Sequence, residues 1–265
     1  MDLPANAFKR ALRDGRKQIG LWASLCSGLV SEILASAGYD WIMIDAEHAP
    51  NDLASVLDQL RGLKGGTATP IVRPAWNDPV LIKRYLDLGV QTLLVPWVQN
   101  AAEAARAVAA TRYPPKGIRG VALIHRASGF GAIPDYLTRA NDEMCVLVQV
   151  ETREALGQLE SIAAVDGVDG IFIGPSDLSA AMGNIGGNRS PEMRGAVRFQ
   201  LRQRARIRER IARDRNGHIV AAQFALGAKV PRHPPDRGMV EQQSFGDALQ
   251  HIDQIIVPPD VRQLM

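Results

Sequence analysis

Polar and charged side chains stand at the ends of four short apolar segments of this 265-residue sequence. They are Asp45, Glu47, His48, Arg73, Gln149, Glu151, Ser176 and Asp177. Carboxylates can hold a hard divalent cation, a histidine can move a proton near neutral pH, and an arginine can bind a carboxylate or an enolate oxygen. The set therefore suits metal-assisted chemistry on a small anionic molecule.

Two of the carboxylates, Glu151 and Asp177, are the candidates for metal ligands. With water and substrate oxygens as the remaining ligands, such a pair suits Mg²⁺ or Mn²⁺. Either acid alone also fits a surface ion pair or a helix N-cap, and Asp177 precedes a helical segment that starts "LSAAM". The pair is therefore more informative than either member.

Arg73 and His48 are the candidates for anion binding and proton transfer. Arg73 ends an apolar segment before a proline, which favours contact with a carboxylate or enolate oxygen; an ion pair with a neighbouring acid is the alternative. His48 can act as a general base if a carboxylate orients it. Asp45 precedes it closely and Asp87 lies one strand unit later, whereas a histidine without such a partner is usually a bystander.

The apolar segments alternate with segments of helical periodicity. The predicted strands are "QIGLWASL", "DWIMIDAE", "TPIVRPA", "TLLVPWV", "MCVLVQVE" and "GIFIGPS". The helices predicted between them are "SGLVSEILASAG", "NDLASVLDQLRGL", "NDPVLIKRYLDLG", "NAAEAARAVAAT" and "TREALGQLESIAAV". This alternation indicates a parallel sheet covered on both faces. Polar residues at many strand ends favour a closed (β/α)₈ barrel over an open sheet, and no Gly-rich dinucleotide fingerprint follows the first strand.

The bulk composition fits one barrel domain over residues 1–265, with 46% hydrophobic residues to fill its core. Cys26 and Cys145 lie in apolar stretches, which predicts buried thiols and a reducing cytoplasm. The sequence has no long apolar run, so we expect neither export nor a membrane partner. The net charge of +3 comes mainly from nine arginines between Pro191 and Arg215.

Six motifs resemble, in order, those of the HpcH/HpaI aldolase family, the metal-dependent pyruvate aldolases of the phosphoenolpyruvate-binding barrel superfamily. They are "DAEHAPND", "IVRP", "YLDLG", "YPPKGIRG", "VQVET" and "GIFIGPSDLSAAMG", spread over residues 5–190. The resemblance implies a TIM barrel that reversibly cleaves 4-hydroxy-2-oxo acids to pyruvate and an aldehyde, in the catabolism of aromatic compounds.

The resemblance also implies a role for each matching residue. Glu151 and Asp177 correspond to the ligands of a divalent metal, Mg²⁺ or Mn²⁺ or also Co²⁺, and Gln149 to a contact with the oxo acid and metal water. Arg73 corresponds to the arginine that steadies the pyruvate enolate. The turn for the pyruvate carboxylate is formed by Gly174, Pro175 and Ser176.

His48 corresponds to the family's base, with Asp45 and Asp87 as its acidic partners. The family builds hexamers by exchanging C-terminal helices, so a homo-oligomer is implied, and Asp87 would act across a subunit boundary. No lysine for a Schiff base stands at a predicted strand end.

After residue 190 the sequence stops resembling the family. "HIVAAQF" and "QIIVPP" are poor candidates for strands seven and eight. Three explanations stay open for residues 191–265: a shifted reading frame, a divergent but working barrel end, or an acquired nucleic-acid-binding helix, which the single aromatic in the Arg-rich helix disfavours. The alternatives for function are correspondingly an acyl-CoA ester lyase of the same superfamily or a non-catalytic remnant.

Overall fold

Parallel strands alternate with helices throughout the part of the chain that the computed structural model describes, residues 1–187 and the backbone of Ala221 and Ala222. The strands are β1 (Gly20–Ala23), β2 (Trp41–Asp45), β3 (Thr69–Arg73), β4 (Thr92–Val95), β5 (Cys145–Val150), β6 (Gly170–Ile173) and β7 (Ala221–Ala222). The helices are α1 (Ala7–Arg13), α2 (Gly28–Ala35), α3 (Leu53–Gly62), α4 (Pro79–Asp87), α5 (Ala101–Thr111), α6 (Tyr136–Glu143), α7 (Arg153–Gly157), α8 (Leu159–Ala163) and α9 (Pro175–Ala181).

The strands form one parallel sheet in sequential order, from β1 to β7. A doubly wound sheet would reverse its strand order at a switch point, and this sheet does not. Its order is that of a (β/α) barrel in which each strand pairs with the next, so the described residues form a parallel α/β half-barrel. The prediction of the fold class is confirmed to this extent.

Alternation along the strands separates two hydrophobic clusters. Ile42 and Ile44 of β2 belong to the cluster between the sheet and the helices. Trp41 and Met43, the alternate residues, belong to the interior cluster. Because side chains alternate with a period of two, Asp45 continues the interior-facing row at the end of β2.

The same alternation holds in β3 and β5. Ile71 of β3 and Leu147 of β5 lie in the interior cluster, so the next residues of the same parity face the interior too. These interior-facing positions at the strand ends are occupied by Arg73, Gln149 and Glu151. The strand pattern therefore carries four of the predicted site residues to one mouth of the half-barrel.

Helix α1, which the sequence pattern did not predict, closes the opposite end. Phe8 and Leu12 of α1 are buried in the interior cluster. The Asn6 amide donates to the Thr92 hydroxyl at 2.9 Å, at the beginning of β4. The Lys9 ammonium donates to the backbone just before β5. These contacts hold the helix across the strand N-termini, away from the predicted site.

Other predictions were confirmed or corrected in detail. The six predicted strands and the helices α2 to α5 are present. The predicted single helix "TREALGQLESIAAV" is instead two, α7 and α8, interrupted at Gln158 after the helix-weakening Gly157. Helix α6 was not predicted. Cys145 is buried as expected, but Cys26 is only partly buried, and neither forms a disulfide.

The segment "HIVAAQF" contributes β7, in which Ala221 pairs with Ile171 and Ala222 with Phe172. The proposed strand eight and the Arg-rich segment lie outside the described residues. Among the residues that are described, no helix is both long and apolar enough to cross a bilayer.

Candidate active site at the strand ends

A buried ion pair between Arg73 and Asp45 forms the floor of the candidate site. The two residues pair in register at the ends of β3 and β2. The Arg73 Nε donates to Asp45 Oδ1 at 2.9 Å and Nη2 donates to Oδ2 at 2.6 Å, a bidentate arrangement. Burial by itself would raise the pKa of Asp45, but the bonds from Arg73 outweigh it and lower that pKa.

The remaining face of the Arg73 guanidinium is also constrained. Its Nη1 lies 3.4 Å from the Gln149 side-chain oxygen, and the group stands 5.3 Å from the ring centroid of Trp22. An arginine fixed by a carboxylate, an amide and an aromatic ring presents its charge in one orientation. The ion pair that was the alternative interpretation of Arg73 is present, and it is compatible with the predicted contact to an anion.

Glu47 lies beside this pair; it belongs to the polar set seen in the sequence, but no individual role was predicted for it. Its Oε2 stands 3.1 Å from Arg73 Nε and 3.7 Å from His48 Nε2. Oε2 is buried and has no aligned hydrogen-bond donor, so the close approach to Arg73 is an ion pair without hydrogen-bond geometry. The available signal was its parity, because Glu47 is two residues beyond the interior-facing Asp45.

The electrostatic environment of Glu47 disfavours its charged form. Burial is the largest cause, and repulsion by Asp45 and Asp177 adds to it. These effects exceed the attraction of Arg73 and raise the pKa of Glu47 to about 7. An additional positive charge nearby would therefore stabilise the charged form of Glu47 and lower its pKa.

Glu151 follows β5 and is almost fully buried. It accepts a hydrogen bond from the Gln149 side-chain amide and another from the Trp97 backbone N–H at 3.0 Å. Burial first, and then repulsion by Glu47 and Asp177, raise the pKa of Glu151 to about 7 despite these two donors. Three carboxylates therefore lie close enough to repel one another.

Asp177 lies in the first turn of α9 and is partly buried. The N-cap of that helix is Gly174, so Asp177 does not occupy the capping position that was its alternative role. A Cβ on Gly174 would lie 2.7 Å from Glu151 Oε1, so any larger residue at this turn would force the Glu151 carboxylate to move. Ser176, next in the turn, is exposed.

His48 stands at the rim with a side chain that is 63% exposed. Asp45 Oδ1 accepts the His48 backbone N–H at 3.4 Å, so Asp45 orders the loop and not the imidazole. The acid near the ring is Glu47. The predicted pairing with Asp45 is thus replaced, within one chain, by an approach to Glu47.

Asp87 is not brought to His48 within the described chain. It ends α4, and the end of a barrel helix lies at the strand N-termini, away from the mouth. Its Oδ1 accepts from Arg119 Nη2 at 2.9 Å and lies 3.9 Å from His125 Nε2. A catalytic contact between Asp87 and a His48 would require a second chain.

The donor set at the mouth fits a hard divalent cation. Glu47, Glu151 and Asp177 offer carboxylate oxygens, and the buried Glu47 Oε2 lacks an aligned donor. No cluster of three or more metal-ligating side chains stands preassembled among residues 1–187. The two predicted ligands, Glu151 and Asp177, would therefore need oxygens from water or substrate to complete a coordination shell.

The chain matches one protein family and several of its solved structures. The HpcH/HpaI aldolase/citrate lyase family matches residues 18–221. The 4-hydroxy-2-oxo-heptane-1,7-dioate aldolase of Klebsiella pneumoniae is 59% identical over 199 residues, 75% of each chain. The pyruvate aldolase of Rhizobium etli is 56% identical over 197 residues, 74% of this chain and 78% of that one. The crystal structure of a family protein from Burkholderia cenocepacia has a TM-score of 0.75 at 38% identity, covering 83% of this chain and 93% of that one.

Proposed function

Because the chain belongs to the HpcH/HpaI aldolase/citrate lyase family, we propose that its strand-end site cleaves a 4-hydroxy-2-oxo acid reversibly into pyruvate and an aldehyde. Such an enzyme is a class II pyruvate aldolase, a carbon–carbon lyase. The observation that carries the proposal is the buried Arg73, locked by Asp45 and faced by a cluster of carboxylates. We place the site in a single barrel domain that the described half-barrel begins.

The reaction requires a general base and an electron sink, which stabilises the negative charge that develops on the C2 oxygen. A base takes the C4 hydroxyl proton, and the oxygen electrons form the aldehyde carbonyl. The C3–C4 bond breaks, its electron pair becomes the C2–C3 double bond of the pyruvate enolate, and a proton then adds at C3. The negative charge therefore develops on the C2 oxygen, where the site must stabilise it.

Glu151 and Asp177 are the residues that would hold a divalent cation, with Gln149 beside the bound oxo acid. A bound Mg²⁺, Mn²⁺ or Co²⁺ would supply Lewis-acid stabilisation of the C2 oxygen. Glu47 is the third carboxylate of the group, and its mutual repulsion with Glu151 and Asp177 supports the assignment. Gln149 donates to Glu151 and orients its carboxylate.

Arg73 binds the developing enolate oxygen in this scheme. Its bidentate bonds to Asp45 fix the guanidinium before the substrate arrives, so little reorganisation is needed as charge develops. The turn of Gly174, Pro175 and Ser176 provides the place for the substrate carboxylate, next to Glu151. Both contacts concern the pyruvate half, which every substrate of the reaction shares.

His48 is the base that takes the C4 hydroxyl proton. It stands at the rim, where the aldehyde half would lie, and Glu47 is the acid near its ring. Asp87 would assist a His48 only from another subunit, because within its own chain it pairs with Arg119. We therefore propose that the active protein is a homo-oligomer.

The half-reaction on pyruvate provides the decisive test. Incubating the protein with pyruvate in D₂O should exchange the C3 protons in the presence of Mg²⁺ or Mn²⁺, and a chelator should stop the exchange. Glu151→Gln should abolish the signal, whereas Glu154→Gln, an exposed acid in the following helix, should retain it. A folded protein that exchanges no C3 protons with any of these metals would contradict the proposal.

A further inference from the structure

Large apolar side chains remain exposed around the mouth of the candidate site. Leu25 follows β1, Trp76 follows β3 and Trp97 follows β4. Their exposed fractions are 75%, 53% and 38%. Small-molecule sites combine apolar walls with a few placed polar groups. The proposed polar groups act on the pyruvate half and on the C4 hydroxyl, and these apolar residues have no role in that assignment.

Trp97 differs from the other two in its backbone. Its φ is 55°, in the left-handed region that a bulky aromatic residue seldom adopts. This conformation brings the Cβ close to the following carbonyl oxygen and is therefore unfavourable for any residue with a side chain. Such strain persists only where surrounding contacts hold it, and it is concentrated at functional sites.

The contacts that hold Trp97 lead directly to Glu151. The Trp97 N–H donates to Glu151 Oε2 at 3.0 Å. On the other side, the Gln99 side-chain amide donates to the Trp97 carbonyl at 3.4 Å, and Thr152, next to Glu151, donates its hydroxyl to Gln99. The strained turn after β4 is thus tied on both sides to the end of β5.

This arrangement fixes where the indole lies relative to the chemistry. The Trp97 backbone touches the Glu151 carboxylate, which is proposed to serve the pyruvate half. Trp97 is 38% exposed and follows β4 at the end of the sheet where the strands finish, so it is not packed in the core. A substrate that reaches outward from the pyruvate position meets the rim formed by the loops after the strands, and Trp97 belongs to that rim.

We propose that Trp97 determines aldehyde specificity by forming an apolar wall against the aldehyde half of the substrate. The inference rests on the proposed aldolase function and deepens it. A flat indole favours an aldehyde with an aromatic or extended apolar body over a short polar one, because it can stack on the former and offers little to the latter. Leu25 and Trp76 extend the same rim.

The test compares two acceptors in the aldol direction, pyruvate with benzaldehyde and pyruvate with glycolaldehyde. The measured quantity is the ratio of the two kcat/KM values. Trp97→Gly keeps the N–H and relieves the positive φ, so the Glu151 contact can persist while the indole is lost. We expect the benzaldehyde-to-glycolaldehyde ratio to fall about tenfold. Trp97→Phe, which keeps a ring, should shift the ratio less than Trp97→Gly.

Two further variants make the result specific. Ile33→Ala removes an exposed apolar side chain from α2, outside the site, and should leave the ratio unchanged. Trp97→Asn is the second probe in case the glycine variant does not fold, because asparagine tolerates the left-handed region and also keeps the N–H. It should lower the ratio as Trp97→Gly does.

The possible outcomes distinguish the role of Trp97 from the aldolase function on which this inference rests. Wild-type protein that fails to exchange the C3 protons of pyruvate contradicts the aldolase proposal. Wild-type exchange together with an unchanged acceptor ratio in a folded Trp97→Gly or Trp97→Asn overturns the role of Trp97 alone. If the variant leaves the ratio intact but dissociates an oligomer, the exposed rim is a subunit contact and the inference is likewise overturned.

Discussion

Two arginines are buried in the described part of the chain, and they form similar ion pairs in different surroundings. Arg73 binds Asp45 at 2.6 Å, and Arg119 binds Asp87 at 2.9 Å. Each guanidinium also lies near an aromatic ring, at 5.3 Å and 4.4 Å from the ring centroids. The pairs differ in the charges around them.

The Arg73 pair has two further carboxyls beside it, whereas the Arg119 pair has a buried imidazole beside it. Glu47 and Glu151 both approach Arg73, and both carboxyls have pKa values raised to about 7. Beside Arg119 the additional group is His125, whose pKa is lowered by burial and by Arg119 although Asp87 acts against them. The carboxyls near Arg73 would be stabilised in their charged form by a cation, whereas burial beside Arg119 disfavours a protonated His125.

This contrast separates a site from a structural contact. Arg73 lies at the strand ends beside the carboxyls that we propose to bind a metal, and its proposed role is to contact the substrate. The side chain of Arg119 has no exposed surface, and two of its nitrogens are buried without acceptors. We therefore expect substitution of Arg73 to reduce catalysis and substitution of Arg119 to reduce stability.

The largest expected effect is that of Arg73→Lys on catalysis. Lysine keeps the positive charge but cannot make the bidentate bonds to Asp45 or present a fixed donor to the enolate oxygen. Loss of one such donor lowers kcat by roughly 10²–10³-fold. Pyruvate C3 exchange measures this, with thermal unfolding as the control for folding. Exchange within tenfold of wild type in a folded variant would place the enolate contact on another residue.

The next effect is that of Arg119→Met on stability. The substitution leaves Asp87 without its partner and removes a cation stacked 4.4 Å from the Tyr113 ring. Since Asp87 is partly exposed, we expect the free energy of unfolding to fall by roughly 3 kcal/mol, at the lower end for a broken buried pair. Urea unfolding measures it.

A matched double substitution sharpens that result. Arg119→Met combined with Asp87→Asn removes both charges, so it should be more stable than Arg119→Met alone. If Arg119→Met unfolds at the same urea concentration as wild type, then the Arg119–Asp87 pair does not stabilise the fold. That result would contradict the structural role proposed for Arg119.

A smaller effect is expected at Gly174. Alanine there would place a Cβ 2.7 Å from Glu151 Oε1 and force the carboxylate to move. Displacement of a positioned group by a fraction of an ångström lowers the exchange rate by about tenfold in our expectation. Gly157→Ala is the control, because its Cβ would meet nothing within 4 Å. An unaffected exchange rate in Gly174→Ala would mean that Glu151 is free to move.

The two arginine clusters also mark what the sequence could predict. Asp45, Arg73 and Glu151 end strands, and the period of two along each strand fixes which way they face. Their convergence on one mouth was therefore predictable from pattern. The parallel arrangement was predictable for a different reason, the alternation of apolar strands with helical segments along the chain.

The other cluster was not predictable, because periodicity carries no information about its contacts. Arg119 and His125 lie in the irregular connection between α5 and α6, and their meeting with Asp87 depends on how that connection packs. Glu47 was visible in the sequence, but its orphaned oxygen and its approach to His48 arise from the loop after β2. Loop geometry is set by tertiary packing and not by local residue order.

The smallest expected effect is a pH dependence of stability at His125. Its Nδ1 accepts the Ser128 N–H at 3.1 Å, so protonation there would break a bond inside a buried cluster. Burial and Arg119 lower the pKa of His125 from 6.5, with Asp87 opposing. The unfolded chain then binds the proton first as the pH falls, so this contribution to stability is present above pH 6.5 and is lost below it. Urea unfolding between pH 7 and pH 5 should show a shallower decline in His125→Gln than in wild type, since glutamine does not titrate. Equal slopes would mean that burial in the Arg119 cluster does not disfavour protonation of His125, and this part of the comparison between the two clusters would be contradicted.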